Sequence, residues 1–544
     1  MDDLTLDILW DRLIGTVNEQ AAALIRASFT SIVREAGDLS AGVFDRQGRM
    51  VAQAVTGTPG HINSMATGMV HLLARHPVDS LAEGDVLITN DPWLTASQLN
   101  DITIATPVFR AGRCVAFFAS CCHALDIGGR GLSADSRSVF EEGLAIPILK
   151  LHEAGRPVQP ILDIIAANSR TPDAVLGDLH SQVVANAVGA RQLMALMDEF
   201  ALADLEAVST AIIERTARAT QAAIAALPDG TASARLQIDG FAAPITIAVA
   251  VQVAGEALTV DFAGSSEAVD RGINVTLNYT RAYTTYGIKC ALCPEVPNNH
   301  GALEAIRITA PRGSILNARR PAAVGGRHLV GHFLPSAIMT ALADLLPARV
   351  AAPGADGLWD THIAGEDRAG HPFSFTWFSS GGVGAMQGRD GLSATAYPSG
   401  IAGVPVEIIE TRAPLVIGRR ALVPGSGGDG LVPGSGGDGQ WRSGLGQEMT
   451  VEVLSDRPFL FSGLYERIAV PAPGLAGGGD GAPGRLTAMG PDGTAVAVAP
   501  KITAMLPAGT IVHLVLPGGG GFGPPEARDP DARARDLAEG YVPI

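Results

Sequence analysis

The chain has 544 residues, of which 47% are hydrophobic and 17% charged, with a formal net charge of -16 at pH 7. That length exceeds what one hydrophobic core usually organises, so roughly two to four domains or subdomains are expected. The excess of acidic residues argues against nucleic acid or an anionic membrane as a partner, because both are bound by clustered lysines and arginines.

No run of about 18 or more uncharged apolar residues, the length needed to cross a bilayer, occurs in the sequence. The acidic, amphipathic N-terminus also lacks the basic region of a signal peptide. Five cysteines are too few and too clustered for a disulfide framework, so a soluble, cytoplasmic protein is expected.

Apolar spacing in the first 230 residues predicts helices and β-hairpins. The helix beginning near residue 62 would be capped by Asn63 or Ser64, and the first hairpin would turn at residues 45–48. The predicted helices in this part of the chain cover residues 5–34, 62–76, 159–168 and 171–226.

A second hairpin is predicted over residues 102–123, turning at Ala111 and Gly112. With that turn, the residue numbers of two paired positions add up to about 223. Asp101 is then expected to pair with Cys122 and to be only a diagonal neighbour of His123. Strict pairing points Asp101 and His123 to opposite faces, and a shared site would require a β-bulge.

The second half of the chain changes pattern at about residue 231, where strand-like alternation replaces helical spacing. Two further helices are predicted over 274–290 and 332–346, and the region beyond 370 reads as glycine-rich strands and turns. The fold class expected is α+β with several subdomains. The predicted domains are an N-terminal helix and hairpin domain with the candidate site (1–230), a mixed α/β domain (231–370) and a glycine-rich β region (371–544).

Several common motifs are absent or incomplete. The sequence has no GxxxxGK[ST] phosphate loop and no GxSxG nucleophile turn. The tail PGGGGFGPP has prolines where a dinucleotide-binding helix should begin. A single Cys290-x-x-Cys293 pair is more often two buried thiols than a metal or redox site. The tandem repeat LVPGSGGDG, residues 422–439, is predicted to be a flexible loop. If ATP takes part in the chemistry, another chain is expected to bind it.

Polar side chains cluster in the first 150 residues, and His123-Ala-Leu-Asp126 leaves an apolar strand beside glycines. Glycines at a strand end let a ligand approach the backbone, which is typical of a site. The alternative from spacing alone is a strand-end histidine that is simply hydrogen-bonded to Asp126.

Seven blocks of sequence, in order along the chain, together carry a family resemblance. They are GDVLITNDPW, CHALDIGGR, FEEGLAIPILKL, PEVPNNHGALEAIRITAPRGSILNARRPAAVGGRH, GRDGLSATAYP, VPVEIIE and PGGGGFGPPEARDP. With them the chain resembles the hydantoinase B/oxoprolinase family from about residue 7 to its C-terminus. The resemblance implies a B-type component that works with an A-type ATPase, which phosphorylates a small-molecule substrate, in a complex expected to be an (AB)₂ hetero-oligomer.

The resemblance also implies a site. The metal ligands would be Asp38, Gln98, Asp101 and His123, of which Asp101 and His123 would be catalytic, and His61 and Asp126 would support the substrate or the ligands. Gln98 departs from the family, which has histidine there. An amide oxygen suits Mg²⁺ or Mn²⁺ better than Zn²⁺, so the divalent metal, its affinity and its presence stay open.

Three functions remain to be distinguished. The first is ATP-dependent hydrolysis of a cyclic amide of the hydantoin, 5-oxoproline or lactam type. The second is ATP-dependent carboxylation of a ketone, which bicarbonate dependence would reveal. The third is a homologue without enzymatic activity whose metal site has been altered.

Overall fold

The computed structural model describes residues 2–424 and 435–542. Most of the longer helices lie in the first 230 residues, as the apolar spacing predicts. The helices described are α1 Asp3–Ala27, α2 Ser31–Arg34, α3 Pro59–Arg75, α4 Val139–Glu142, α5 Gln159–Asn168, α6 Pro172–Glu199, α7 Glu206–Ala225, α8 Leu277–Leu292, α9 His300–Glu304, α10 His328–Gly331, α11 Leu334–Ala341, α12 Val406–Arg412 and α13 Pro530–Ala538, with 3₁₀ turns at Val78–Ser80 and Pro525–Ala527.

The predicted helix over 5–34 is wrong as a single element, because α1 ends at Ala27 and a separate short helix follows. The interruption has a distant cause. Asp178 on α6 accepts hydrogen bonds from the backbone N–H groups of Phe29 and Thr30, at 2.7 and 3.4 Å, and from the Thr30 hydroxyl at 2.6 Å. Binding to a carboxylate replaces the helical bonds of these two residues, so the chain turns toward the sheet there.

Two other helix boundaries also need correction. The helix expected at 62 begins at Pro59, with Thr58 rather than Asn63 or Ser64 in the capping position. Proline is well suited to a first helical position because its missing N–H would be unsatisfied there. The long helix expected over 171–226 is two helices, interrupted between α6 and α7 where Ala201 has φ 51°.

The strands form four sheets. They are β1 Leu39–Asp45, β2 Met50–Gln53, β3 Val86–Thr89, β4 Asp101–Arg110, β5 Arg113–His123, β6 Leu149–Glu153, β7 Arg156–Pro157, β8 Gly230–Ile238, β9 Ile245–Ala254, β10 Ala257–Asp261, β11 Ile306–Thr309, β12 Trp359–Glu366, β13 Pro372–Ser379, β14 Leu415–Leu422, β15 Gln447–Val453, β16 Phe459–Leu464, β17 Arg485–Met489, β18 Ala495–Val496, β19 Thr503–Leu506 and β20 Ile511–Val515.

The first sheet has seven antiparallel strands in the order β2-β1-β5-β4-β3-β6-β7. Helices α1, α6 and α7 pack on one face of its β1-β5-β4 region, and α3 packs on the other. Because both faces are covered, β1 and β5 are buried along almost their whole length, which explains their nearly unbroken apolar sequence.

The other sheets have the orders β11-β10-β9-β8, β13-β12-β16-β19 and β14-β15-β20-β17-β18. All their pairings are antiparallel except β10 with β11. The predicted α+β, multi-subdomain class is confirmed, while the predicted domain boundaries stay predictions. The glycine-rich region also holds two helices, α12 and α13, which its composition does not predict.

Part of the duplicated segment, residues 425–434, lies outside the described residues, so its predicted flexibility stays a prediction. No helix in the part of the chain that the structure describes is both long enough and apolar enough to cross a membrane.

Candidate functional site

The hairpin of β4 and β5 carries the centre of the site. Near the turn Arg110 pairs with Arg113, as the predicted turn requires. A bulge between Val108 and Phe109 then shifts the register by one residue, so Asp101 lies directly opposite His123. The predicted pairing of Asp101 with Cys122 is therefore wrong. The bulge puts Asp101 and His123 on one face of the sheet.

Two more side chains reach this point from neighbouring elements. Asp38 immediately precedes β1, which pairs with β5, and the His123 N–H donates to the Asp38 carbonyl at 3.2 Å. His61 lies in the first turn of α3. Asp38, His61, Asp101 and His123 are all at least nine-tenths buried.

The contacts among these four side chains are short. Asp101 is their centre, with Oδ1 3.0 Å from His123 Nδ1 and Oδ2 2.9 Å from His61 Nε2. Asp38 lies slightly farther away, with Oδ1 3.5 Å from His61 Nδ1 and Oδ2 3.7 Å from His123 Nδ1. Two carboxylates from different segments thus face two imidazoles.

Gln98 completes the same cluster. Its Nε2 lies 2.7 Å from Asp101 Oδ1 and 2.8 Å from His123 Nδ1, while its Oε1 has no hydrogen-bond partner among the described residues. The structure therefore brings together all four side chains that the resemblance implies as metal ligands, and adds His61 to them.

Asp126 does not join this cluster. One of its oxygens accepts from the Gly128 N–H at 3.0 Å, and the other from Ser169 Oγ at 3.3 Å and from the Arg170 N–H. It holds the loop after β5 against the segment that precedes α6. The alternative interpretation, in which His123 binds Asp126, is not what the structure shows, since His123 contacts Asp101.

The most prominent residue that the sequence reasoning missed is Arg327. Its guanidinium is buried, forms an ion pair with Asp101 Oδ2, and donates from Nε to the Ala96 carbonyl at 2.9 Å. It also lies over the Tyr279 ring, 4.5 Å from the ring centroid. The segment PAAVGGRH contributes only to the family resemblance, and nothing in its local pattern places Arg327 against β4.

Glu142 on α4 positions the loop that carries Arg327. Its Oε1 accepts from the backbone N–H groups of Val324 and Gly325, at 2.8 and 2.7 Å. Burial raises the pKa of Glu142 to about 8, against the opposing effect of those two bonds.

The charges of the cluster follow from burial and from Arg327. Burial alone would raise the pKa of Asp101, but Arg327 and His61 outweigh it and hold that pKa well below its usual value. For Asp38 burial dominates, and its pKa is raised despite the neighbouring histidines. Asp101 is therefore the permanent anion of the site.

The pKa values of the histidines are also shifted in opposite directions. Burial alone would lower the pKa of His123, but the hydrogen bond and charge of Asp101 raise it. Burial lowers the pKa of His328 to about 3, and the pKa of His332 is lowered strongly for the same reason. His328 and His332 are therefore neutral at physiological pH.

A cavity of about 30 Å³ lies among these groups, which is room for about two water molecules. Asp360 on β12 also lines it, and burial raises the pKa of this carboxyl to about 7. Six buried polar atoms of lining side chains have no hydrogen-bond partner among the described residues: Asp38 Oδ1, His61 Nδ1, Gln98 Oε1, His328 Nε2, His332 Nδ1 and Asp360 Oδ1. Unpaired buried polar atoms are costly, so this cavity is built for a polar occupant.

The fit to a metal ion depends on Gln98. Residues 2–424 and 435–542 contain no group of three or more His, Cys, Asp or Glu that could hold a metal. An amide flip exchanges the nitrogen and oxygen of Gln98. Gln98, Asp101 and His123 would then present three ligand atoms separated by 2.7, 2.8 and 3.0 Å. Carboxylate and amide oxygens are ligand types of Mg²⁺ and Mn²⁺, and these three atoms lie close enough together to contact one such ion.

Comparison with known proteins confirms the resemblance. The model of the hydantoinase B/oxoprolinase family matches residues 2–525. The B subunit of a putative D-/L-hydantoinase from Pseudomonas sp. (strain NS671) is 28% identical over 570 residues, covering 100% of this chain and 93% of that protein. The beta subunit of caprolactamase from Pseudomonas jessenii is 27% identical over 566 residues, covering 100% and 94%.

Solved structures agree in fold. The ATP-dependent caprolactamase from Pseudomonas jessenii has a TM-score of 0.89 and 25% identity, covering 100% of this chain and 95% of that one. The nucleotide-free structure of acetone carboxylase has a TM-score of 0.88 at 20% identity, covering 99% and 78%. At that lower identity the likeness concerns the fold alone.

Proposed function

Since this chain belongs to the hydantoinase B/oxoprolinase family, we propose that it is the B-type component of an ATP-dependent amidohydrolase. Its substrate would be a cyclic amide of the hydantoin, 5-oxoproline or lactam type. The observation that carries the proposal is the meeting of Asp38, His61 and His123 around one small polar cavity, with Asp101 in contact with both histidines. Relatives named as components of a hydantoinase and a caprolactamase support the substrate class.

In this proposal the cavity holds the activated carbonyl and one water. The water oxygen adds to the carbonyl carbon, and its proton passes to a carboxylate. Asp38 Oδ1 and Asp360 Oδ1 are the carboxylate oxygens available, since both residues line the cavity and neither oxygen has a hydrogen-bond partner among the described residues. The ring C–N bond then breaks, and the nitrogen takes up a proton. If the activating group is a phosphoryl group on the carbonyl oxygen, this step leaves an acyl phosphate, and a second water releases phosphate and forms the carboxylate.

The remaining groups orient these reactants. Asp101 accepts from His61 and His123 and keeps both imidazoles in place. Arg327 neutralises Asp101 and adds a fixed positive charge beside the negative charge that develops on the carbonyl oxygen. Burial excludes bulk water, which strengthens each of these interactions.

A divalent metal would be held by Gln98, Asp101 and His123, with Asp38 beside them. Bound there, it would polarise the substrate carbonyl as a Lewis acid. The ion pair of Arg327 with Asp101 competes for the same carboxylate, so we expect Mg²⁺ or Mn²⁺ to bind weakly. Gln98→His replaces an amide with imidazole and is expected to increase Zn²⁺ affinity, measured by competition with a chromogenic chelator. Unchanged Zn²⁺ affinity would contradict this ligand set.

ATP would be bound by a separate A-type ATPase, in agreement with the missing phosphate loop and with relatives named as one component of a larger enzyme. The complex would be an (AB)₂ hetero-oligomer in the cytoplasm. Co-purification of the two chains and the mass of the complex test this part of the proposal.

The function is tested by purifying the chain with an A-type partner and measuring ATP hydrolysis in the presence of hydantoins, 5-oxoproline and lactams. At least one cyclic amide should stimulate ATP hydrolysis and be opened. His123→Ala should abolish ring opening, whereas His71→Ala, at an exposed position of α3, should not. Full turnover by the His123 variant would refute the site. Turnover of a ketone that requires bicarbonate would instead favour the carboxylase alternative.

A further inference from the structure

A second, much larger cavity of about 560 Å³ lies beside the catalytic one. Its walls come from α1, the end of β2, the start of α3, the C-terminal half of α8 and residues 294–298 and 396–400. Cavities of this volume are typical of sites for small organic molecules.

One wall of this cavity contains a buried lysine without a counterion. The chain has three lysines, and Lys150 and Lys501 are paired with Asp85 and Glu466 at 2.7 and 2.8 Å. Lys289 is 8% exposed, and its ammonium donates to the Val296 carbonyl at 2.8 Å. Among the described residues no carboxylate oxygen lies within 4.0 Å of it.

A buried cation without an anion is unfavourable, and burial accordingly lowers the pKa of Lys289. Burial raises the pKa of the neighbouring Cys290, so that thiol does not supply the missing negative charge. Glu295 also lines the cavity, beyond ion-pair distance of the ammonium. An anionic ligand would complete the coordination of Lys289.

The cavity also has a carboxamide group of its own. Asn298 Nδ2 donates to Gln53 Oε1 and to Asn63 Oδ1, both at 2.7 Å, and all three side chains line the cavity. The oxygen of Asn298 is buried and has no hydrogen-bond partner among the described residues. An N–H donor on a ligand, such as that of a urea or amide, would satisfy this oxygen.

Another wall of this cavity is apolar, and part of the lining adjoins the catalytic cavity. Trp10, Ile14 and Val55 supply hydrophobic surface. Thr58 lines the catalytic cavity. Its two neighbours in sequence, Gly57 and Pro59, line the larger cavity instead. The two cavities therefore adjoin each other along residues 57–59.

We propose that the larger cavity binds a small organic carboxylate that carries an amide or urea group and an apolar body. This inference rests on the proposed function, because opening a hydantoin ring converts a carbonyl into a carboxylate and leaves a urea group, whereas opening a lactam or 5-oxoproline leaves an amine. Lys289 would bind the carboxylate, the carboxamide group of residues 53, 63 and 298 the urea or amide, and the apolar wall the side chain. The cavity would receive the ring-opened product from the catalytic site.

The test uses the full chain without ATP or partner, and isothermal titration calorimetry with N-carbamoylphenylalanine as the probe. Its neutral amide, matched in size, is the control ligand. Lys289→Met should weaken binding of the acid about tenfold or more, the usual effect of losing a hydrogen bond to a charged group, and should leave binding of the neutral amide unchanged. Lys150→Met, which removes a lysine elsewhere, should change neither affinity.

Two further variants separate this inference from a folding defect and from the proposed function. Asn298→Asp, at a half-buried position, removes the N–H donor to Gln53 and Asn63 and should weaken both the acid and the neutral amide, because both carry the urea group. His123→Ala should abolish turnover but leave binding of the acid intact. Equal binding of acid and amide, no binding of either, or equal losses in the His123 and Lys289 variants would overturn the inference. Lys289-dependent binding without any cyclic amide turnover would support the cavity while refuting the proposed hydrolase.

Discussion

The ion pair between Arg327 and Asp101 gives the sharpest prediction about the site. Both side chains are almost completely buried, with 3% and 0% exposure. We consider Arg327→Met, which keeps the apolar stem of the side chain and removes its charge. The variant leaves Asp101 as a buried carboxylate without its cation.

The expected loss in the free energy of unfolding follows from the contacts that Arg327→Met removes. Breaking a buried ion pair by removing one partner costs about 3–5 kcal/mol. The Ala96 carbonyl also loses its 2.9 Å bond to Arg327, which adds about 1 kcal/mol. Arg327→Met should therefore lower the free energy of unfolding by about 4–6 kcal/mol. Asp101→Asn should also be destabilising, because it leaves the guanidinium buried and unpaired.

The assay is a double-mutant cycle by urea unfolding, followed by tryptophan fluorescence. The double variant should be more stable than the sum of the single changes implies, by at least about 1 kcal/mol, because neither charge is then left alone. Arg320→Met is the matched control, since Arg320 pairs with Asp91 while 52% exposed and should cost at most about 1 kcal/mol. Single changes that add within about 0.5 kcal/mol would show that the pair does not stabilise the site.

Two further variants test the surroundings of the site. Glu142 has a pKa of about 8 in the fold against an ordinary 4.5. The folded chain therefore holds this proton where the unfolded chain has lost it. The free energy of unfolding should fall as pH rises between these values, by at most about 1.4 kcal/mol per pH unit. Glu142→Gln should have a shallower decline in urea titrations at pH 5 to 8, and identical slopes would contradict the assignment. Gly60→Ala directs a methyl group into the Tyr279 ring and should lower the free energy of unfolding by about 1–3 kcal/mol. At Gly15 an added methyl group meets nothing within 4 Å, so Gly15→Ala should raise the free energy of unfolding by up to about 1 kcal/mol. Similar effects of the two alanines on thermal unfolding would show that packing at Gly60 is not the constraint.

Local pattern predicted most of the elements but not where they end. The turn at Ala111 and Gly112 and the β1–β2 hairpin follow from short-range signals, and both are present in the structure. The break after α1 could not be predicted from its own residues, because it depends on Asp178, about 150 positions later. Helix spacing continues across residues 28–30, and only the tertiary contact interrupts it.

The residues of the candidate site were also predicted only in part. Asp38, Asp101 and His123 follow from the resemblance, and their proximity in space is a result of strand pairing. Arg327 comes from a segment more than 200 residues away from Asp101, and Glu142 holds the glycine-rich turn before α10 that carries it. Contacts between distant segments of this kind have no periodic signature in the sequence.

The bulge between Val108 and Phe109 separates the hairpin into a tip and a base whose geometries are independent. The exposed tip, Ala111 to Arg113, lies beyond the shift, so lengthening it to carry a fluorophore or an affinity tag would leave the pairing of residues 101–108 unchanged. The unpaired residue of the bulge is Val115, because Val108 pairs with Ala116 and Phe109 with Cys114. Deleting Val115 would give a regular hairpin and keep Asp101 opposite His123, while the side chains of the tip would exchange faces relative to the base. Homologous or engineered chains can therefore vary in the turn and in the bulge residue, provided that the pairing of residues 101–108 is kept.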